Sequence, residues 1–145
     1  MPILLFSDSH GSTNALLELQ KRVDEISPSQ LILLGDSLYR GNNHFLSGYS
    51  TNTAADILNS WKDKIIAVRG NCDFESEQAL LDFSIMQEMR LFTCNNLRFF
   101  LHHGHIWNKE NLPKRTDIDI FAYGHTHSPL LEKTPDGLIL LNPGA

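Results

Sequence analysis

The sequence predicts an α/β fold built on two sheets. In the first half of the chain, short apolar runs alternate with amphipathic helical segments, a pattern typical of parallel strands joined by right-handed crossovers. After Asp73 the apolar runs follow one another more closely and turns separate them, which predicts a second sheet. Because no internal repeat or Pro/Gly/Ser-rich linker divides the 145 residues, we expect one domain spanning residues 1–145.

Three strands and two helices are expected in the first half. The strands are all-apolar runs, which suit strands covered by helices on both faces, and they lie at residues 3–6, 31–34 and 65–68. Ser12 or Thr13 can cap the first helix, which ends at Pro28. The second helix is expected to start at Thr53-x-x-Asp56, which resembles a capping box.

The second half is expected to consist mainly of strands. Apolar runs rich in Ile, Leu and Phe predict strands at residues 91–93, 98–101, 120–123, 130–133 and 138–141. Pro135-Asp136-Gly137 marks a tight turn between the last two. These runs are the strands of the expected second sheet.

Composition and charge exclude several classes of function. Lys and Arg number 12 against 17 Asp and Glu, so the net charge of −5 provides no basic field for gripping long nucleic acid. No segment is long enough to span a membrane, and the first residues lack the basic region and cleavage site of a secretory signal. We therefore expect a cytoplasmic protein in which Cys72 and Cys94 stay reduced.

Candidate metal ligands follow the predicted strands. One polar residue lies just beyond the end of each of five strands: Asp8, Asp36, Asn71, His103 and His125. His10 and His127 follow the first and the last of these by two residues. The crevice outside the carboxyl ends of the strands is where open α/β sheets bind ligands, so these side chains are expected to converge. Imidazole, carboxylate and amide ligands suit manganese, iron, zinc, cobalt or nickel rather than a soft thiolate site.

Each candidate has a simpler explanation when taken alone. An aspartate after a strand is more often the cap of the next helix, and Gly-Asn is an ordinary turn sequence. The joint occurrence of all these residues at strand ends favours the metal site.

Five short motifs carry a resemblance to a known family. They are Asp8-x-His10, Gly35-Asp36, Gly70-Asn71-Cys72-Asp73, His103-Gly104-His105 and Gly124-His125-Thr126-His127. Together they resemble the signature of the calcineurin-like metallophosphoesterases, and within it the YfcE-type bacterial phosphodiesterases. The resemblance implies a four-layer fold, a mixed two-sheet β sandwich flanked by helices. It also implies a first ion held by Asp8, His10 and His127, a second held by Asn71, His103 and His125, and a bridging Asp36.

The expected function is that of a binuclear-metal-dependent phosphodiesterase that hydrolyses small phosphate diesters by metal-bound hydroxide. Two divalent ions, with manganese favoured over nickel, cobalt, iron or zinc, would draw in a phosphate oxygen and lower the pKa of bound water. A diester is favoured because no obvious Arg/Lys clamp lies beside the ligands, although Arg40 or Arg69 can overturn this argument. The alternatives are a phosphomonoesterase on the same site and a non-catalytic protein-interaction scaffold of the same fold.

The expected catalytic residues are Asn71, Cys72 and His103. Many relatives carry a histidine directly after the metal-binding asparagine, where it can protonate the leaving oxygen, and here that position is Cys72. A thiol with a pKa near its usual value of about 8.5 can donate a proton at neutral pH, although nearby cations favour the thiolate. A packing role for Cys72 is an equal alternative. Arg40 and His105 are the expected substrate contacts.

The end of the chain departs from the family pattern. Asn142-Pro143-Gly144-Ala145 resembles a motif that further strands normally follow, so we expect the last strands to be lacking. A sheet edge left without its partner would favour association into a homo-oligomer.

Overall fold

Two sheets form the centre of the protein. The computed structural model describes residues 2–145, apart from the side chain of His44. The first sheet contains β1 (Ile3–Phe6), β2 (Gln30–Leu33) and β3 (Ile65–Ala67). The second contains β4 (Met89–Cys94), β5 (Leu97–His102), β6 (Ile120–Ala122), β7 (Leu130–Lys133) and β8 (Ile139–Asn142). The predicted α/β fold on two sheets is thus confirmed, and every predicted strand is present.

The first sheet is parallel and has the order β1-β2-β3. Leu5 of β1 lies opposite Ile32 of β2, and Leu33 lies opposite Ala67 of β3. Leu31, Ile32 and Leu33 of the central strand β2 are fully buried, as the apolar run predicts for a strand covered on both faces. Among the described residues, β1 pairs with a strand on one side only.

Two helices of the first half are capped by serines. Ser12 precedes α1 (Thr13–Ile26), and its hydroxyl accepts a hydrogen bond from the Ala15 N–H. Helix α2 (Thr51–Asn59) begins two residues earlier than the predicted start, because Ser50 rather than Thr53 is the cap and accepts from the Thr53 N–H. A 3-10 helix (Gly41–Phe45) and the short α3 (Glu75–Gln78) complete the helices and were not predicted.

The second sheet is mixed and has the order β4-β5-β6-β8-β7. Its central strands β5, β6 and β8 run parallel, while β4 and β7 pair antiparallel at the two edges. The β4–β5 turn contains Asn95 and Asn96 with positive φ, as a two-residue hairpin requires.

One of the hydrophobic cores lies between the sheets. It joins Ile32, Leu34 and Val68 to side chains of the second sheet, including Phe99 and Leu101. The outer face of the first sheet is covered by α1 and α2. The loops that follow β1, β2, β3, β5 and β6 meet at one common edge, where Asp8 bonds to His125, Asp36 to Cys72 and His103 to Asn71. None of the helices in residues 2–145 is both long enough and apolar enough to cross a membrane.

Candidate metal centre

The seven predicted ligands come together at the edge where the loops that follow β1, β2, β3, β5 and β6 meet. Asp8, His10 and His127 each offer a ligand atom within 4.8 Å of the others, and Asp36, His103 and His125 form a second such group. The oxygen of Asn71 lies 2.9 Å from His103 Nε2 and 3.0 Å from His125 Nδ1, which adds Asn71 to the second group. Asp8, Asp36 and His103 are buried, whereas Asn71, His125 and His127 are exposed. The site therefore has a buried acidic floor and a rim open to solvent.

The loops hold several ligands in a strained backbone conformation. Eight non-glycine residues among the described ones have positive φ, and five of them are Asp8, His10, Asp36, His125 and His127. Each such residue costs of order 1–3 kcal/mol, and it persists only where surrounding contacts hold it. Here backbone hydrogen bonds do so: the Asp8 N–H donates to the Gly35 carbonyl at 3.0 Å and the His10 N–H to the Asp36 carbonyl at 3.0 Å. The loops are thus preorganised.

Two glycines allow the loops to approach each other. A Cβ on Gly35 would lie 2.6 Å from His103 Nδ1 and 2.7 Å from the Gly70 nitrogen. A Cβ on Gly70 would overlap the carboxylate of Asp36. The Gly-Asp and Gly-Asn sequences therefore follow from close packing of two ligand-bearing loops.

Hydrogen bonds to backbone carbonyls orient two of the histidines. His103 Nδ1 donates to the Leu34 carbonyl at 2.7 Å, and His10 Nδ1 donates to the Tyr39 carbonyl at 2.7 Å. Because a carbonyl can only accept, Nδ1 carries the proton, and in the neutral ring Nε2 then has a free lone pair. Both lone pairs face the cluster, an arrangement typical of histidines that bind metals.

Three ligand atoms of the second group lie within 3.1 Å of one another. His103 Nε2 is 2.9 Å from Asn71 Oδ1 and 3.1 Å from His125 Nδ1, which in turn is 3.0 Å from Asn71 Oδ1. The amide oxygen accepts only, and His103 Nε2 also presents a lone pair. A cation among the three atoms would satisfy all of them at once.

The buried carboxylate of Asp8 presents one oxygen without a partner. Its Oδ2 accepts from the Ser7 hydroxyl at 2.6 Å and from the His125 N–H at 2.9 Å. Its Oδ1 has no hydrogen-bond partner among the described residues and lies 3.3 Å from His127 Nε2 and 3.8 Å from His10 Nε2. A buried carboxylate oxygen without a partner is costly, so the residues fit a bound cation.

Asp36 lies between the two groups. Its Oδ2 is 3.6 Å from His10 Nε2 in the first group and 3.2 Å from His103 Nε2 in the second. Its Oδ1 accepts from the Cys72 N–H at 2.8 Å. Burial raises the pKa of Asp36, but the hydrogen bond and charge of His103 outweigh it, so the pKa is lowered overall. Burial likewise lowers the pKa of His103, yet the hydrogen bond and charge of Asp36 raise it overall.

Asp73 is a functional candidate to which the sequence analysis assigned no role. Its buried carboxylate accepts hydrogen bonds from the backbone N–H groups of Asp36 at 2.9 Å, Ser37 at 3.1 Å and Gly70 at 2.8 Å. Burial raises its pKa despite these bonds. The only signal in the sequence was its place two residues after Asn71, because the partners are backbone atoms that no side-chain motif reveals.

The other predicted site residues lie at the rim. The half-buried Cys72 is next to Asp36, and burial together with Asp36 and Asp73 raises the pKa of its thiol to about 11. The ring of His105 stacks on His102 with centroids 5.1 Å apart and is 6.4 Å from the ring of His125. Burial and the neighbouring His103 lower the pKa of His105, which keeps it neutral near pH 7.

Arg40 takes a less direct position than expected. Its aliphatic stem covers Gly11, where a Cβ would lie 2.7 Å from Arg40 Cγ. Its guanidinium donates to the Tyr49 carbonyl at 3.5 Å. The stem thus lies beside the loop of His10, while the charged group points to the backbone near α2.

Two candidate metal groups at one edge of an α/β sandwich, with a carboxylate between them, fit the class of metal-dependent phosphoesterases. The chain belongs to the calcineurin-like phosphoesterase superfamily, because the model of that superfamily's domain matches residues 1–145. The prediction of an enzyme that hydrolyses phosphoric esters is therefore confirmed at the level of the family.

Individual relatives support this membership. Phosphodiesterase YfcE of Escherichia coli is 38% identical over 146 residues, which cover 100% of this chain and 79% of the relative. The solved structure of E. coli Yfce, a phosphoesterase, superposes with a TM-score of 0.92 at 37% identity over 100% of this chain and 80% of that one. Vps29 of Chaetomium thermophilum is similar in fold alone, with a TM-score of 0.71 at 20% identity over 99% of this chain and 72% of that one. The predicted YfcE-type resemblance is thus confirmed.

Proposed function

We propose that this protein is a phosphodiesterase that acts on small phosphate diesters and uses two divalent metal ions. The observation that carries the proposal is the convergence of ligand atoms: the Oδ1 of Asp8, which has no hydrogen-bond partner among the described residues, and the Nε2 atoms of His10 and His103, whose Nδ1 atoms donate to backbone carbonyls. The similarity to YfcE, a phosphodiesterase by name, supports the choice of reaction.

The proposed ligands divide into two sets. Asp8, His10 and His127 would hold one ion, and Asn71, His103 and His125 the other, with Asp36 shared between them. When bound, the ions would supply positive charge that polarises the phosphoryl group and would make water acidic enough to deliver hydroxide to phosphorus. Manganese remains the metal we favour, with nickel, cobalt, iron and zinc as alternatives.

The charge of the rim supports a diester over a monoester. Arg40 is turned towards the Tyr49 carbonyl, and Arg69 donates to the Asp73 carbonyl and pairs with Glu88 at 3.5 Å. These two cations are therefore engaged with protein groups rather than aimed at the ligands. A singly charged diester needs less cationic help than a dianionic monoester.

Cys72 is the proposed proton donor to the leaving oxygen. Its backbone N–H donates to Asp36 at 2.8 Å, which places Cys72 directly beside the proposed bridging carboxylate. Asn71 and His103 would act as ligands that also orient the phosphoryl group. His105 and Arg40 remain the proposed substrate contacts at the rim.

Metal titration combined with paired substrates tests the proposal. Metal-free protein should bind two manganese ions in calorimetry and then hydrolyse bis(p-nitrophenyl) phosphate faster than p-nitrophenyl phosphate. Asp36→Asn should abolish turnover, whereas Asp63→Asn, an exposed carboxylate on another face, should have no effect. The same titration with nickel, cobalt, zinc and magnesium identifies the preferred metal.

The alternatives give different results in this test. A monoesterase would reverse the order of the two rates, and a non-catalytic scaffold would bind metal or none and hydrolyse neither ester. The fold likeness to Vps29 is the observation that keeps the scaffold alternative in view. Cytoplasmic location, a single domain and homo-oligomerisation stay predictions, and light scattering checks the last.

A further inference from the structure

Two exposed aromatic rings contact each other beside the candidate metal centre. The exposed fractions of Tyr39 and Phe74 are 43% and 46%, and their ring centroids lie 6.1 Å apart at an interplanar angle of 80°. Single exposed apolar side chains are ordinary on protein surfaces, whereas adjoining exposed rings form a continuous apolar surface, the kind of surface that ligand sites use. Tyr39 follows Asp36 by three residues and Phe74 follows Asn71 by three, so both ligand-bearing loops contribute.

Hydrogen bonds to the ligand-bearing loops fix the position of this aromatic pair. The Tyr39 carbonyl accepts from His10 Nδ1 at 2.7 Å, so only one imidazole ring separates the Tyr39 backbone from the cluster. Asp73, the neighbour of Phe74, accepts from the Asp36 N–H at 2.9 Å. The Phe74 N–H donates to Glu77 at 3.0 Å, which holds the ring at the start of α3. The aromatic pair is therefore held close to the candidate centre.

A concave space lies on the Tyr39 side of the aromatic pair. Tyr39, but not Phe74, lines a cavity of about 250 Å³, whose walls also include the polar side chains of Arg40, Thr51 and Glu77. An aromatic side chain among a few polar groups is a composition found in small-molecule sites. Glu75 and Glu77 in the first turn of α3 make this region unfavourable for a second phosphate. An uncharged ring system is the ligand chemistry that fits.

We propose that Tyr39 and Phe74 form a subsite that stacks the aromatic organic group of a phosphodiester, such as the base of a nucleoside ester, while the phosphate lies at the ligand cluster. The proposal rests on the proposed function and names its substrate class. Edge-to-face contact leaves ring faces open for stacking, which every nucleobase can use because each has a π-face. A small aliphatic ester would leave the subsite empty.

Two diesters with the same leaving group test the subsite. The p-nitrophenyl ester of thymidine 5′-monophosphate and methyl p-nitrophenyl phosphate differ only in the group that stays on phosphorus. Tyr39→Ala and Phe74→Ala should each raise KM for the thymidine ester, so that the preference for it over the methyl ester in kcat/KM falls about 5- to 150-fold. Tyr39→Phe and Phe74→Tyr should retain the preference. Leu131→Ala, which truncates an exposed side chain on β7, is the matched control.

Direct binding separates this proposal from the proposed function. Thymidine 5′-monophosphate should bind the manganese-loaded protein in calorimetry, and Tyr39→Ala should weaken it by at least fivefold. An unchanged substrate preference together with unchanged nucleotide binding overturns the subsite, even if both diesters are hydrolysed. If the wild-type protein hydrolyses neither ester, the proposed function is wrong, and the binding comparison still decides whether the aromatic pair takes a nucleoside.

Discussion

Replacing Asp73 with asparagine tests how firmly the two ligand-bearing loops are held together. In the structure, Asp73 Oδ2 accepts from the N–H groups of Asp36 and Gly70, and Oδ1 accepts from the N–H of Ser37. An asparagine side chain has one oxygen, so it can serve Asp36 and Gly70 but then turns its NH2 group towards the Ser37 N–H. The buried Ser37 N–H loses its acceptor. The Ser37 hydroxyl, which donates to Oδ1 at 3.3 Å, loses it too unless it turns to accept from the NH2 group, and the other two bonds lose their charge.

The expected cost follows from these contacts. A buried N–H without an acceptor costs about 1–3 kcal/mol, and a bond to a neutral oxygen is worth roughly 1 kcal/mol less than one to a carboxylate. Burial of the Asp73 charge, which raises its pKa, offsets part of this loss. We expect the free energy of unfolding to fall by about 2–4 kcal/mol, a large share of the roughly 5–15 kcal/mol typical of a domain.

Urea unfolding of the metal-free protein measures this effect without contribution from bound ions. Manganese affinity, measured by calorimetry under native conditions, should also fall by about 10-fold or more, because Asp73 holds the backbone of Asp36. Asp63→Asn, at an exposed position, is the control and should change neither quantity. A stability for Asp73→Asn within ~0.5 kcal/mol of wild type, with unchanged manganese affinity, would refute the reasoning.

Three further predictions concern a glycine, the thiol and an ion pair. Gly70→Ala should abolish tight manganese binding and destabilise the fold, because the added Cβ would overlap the Asp36 carboxylate; calorimetry and urea unfolding check this, and wild-type affinity would contradict it. Cys72→Ala should slow diesters with poor leaving groups more than activated aryl diesters in steady-state kinetics, because only the former need a proton donor; equal losses would count against an acid role. The hydrogen bond from Arg98 lowers the pKa of Asp119 from its ordinary value of 3.8 to about 2, so this pair stabilises the fold above pH 4 and its contribution is lost as the pH falls through 2. Thermal melts between pH 5 and pH 2 should therefore show a smaller acid-induced drop in Tm for Asp119→Asn than for the wild type, and parallel curves would contradict the assignment.

The local hydrophobic pattern of the sequence was sufficient to predict which helices and strands form, with two short exceptions, but not to predict where each one begins and ends. Apolar runs predicted each strand within one or two residues, and most clearly in the first sheet, where a strand covered on both faces must be apolar throughout. The start of α2 was misplaced because Ser50 and Thr53 are both good caps, and only the backbone path after the 3-10 helix selects Ser50. Helix α3 escaped prediction because four residues carry no periodic signal.

For the candidate site, too, the sequence predicted some features and could not predict others. The rule that ligands follow strand ends identified Asp8, Asp36, Asn71, His103 and His125 as a set. It could not identify Asp73, whose partners are backbone N–H groups, nor the pairing of Tyr39 with Phe74, which depends on how two loops pack. It also says nothing of the orientation of Arg40, whose stem packs on Gly11 and whose guanidinium donates to the Tyr49 carbonyl; substrate contact by Arg40 stays a prediction.

The sequence by itself determined the class of fold, the strands and the residue types that follow them, because those properties depend on hydrophobic pattern and on motifs a few residues long. Tertiary structure alone decided which atoms meet. The N–H of His125 donates to the carboxylate of Asp8 across 117 residues of chain. Contacts of this kind also determine the unpartnered oxygen of Asp8, the tautomers of His10 and His103, and the hydrogen bonds by which Asp73 holds the backbone of Asp36. Such contacts are set by the packing of two sheets, whose side chains and loops must satisfy one another's hydrogen bonds away from water.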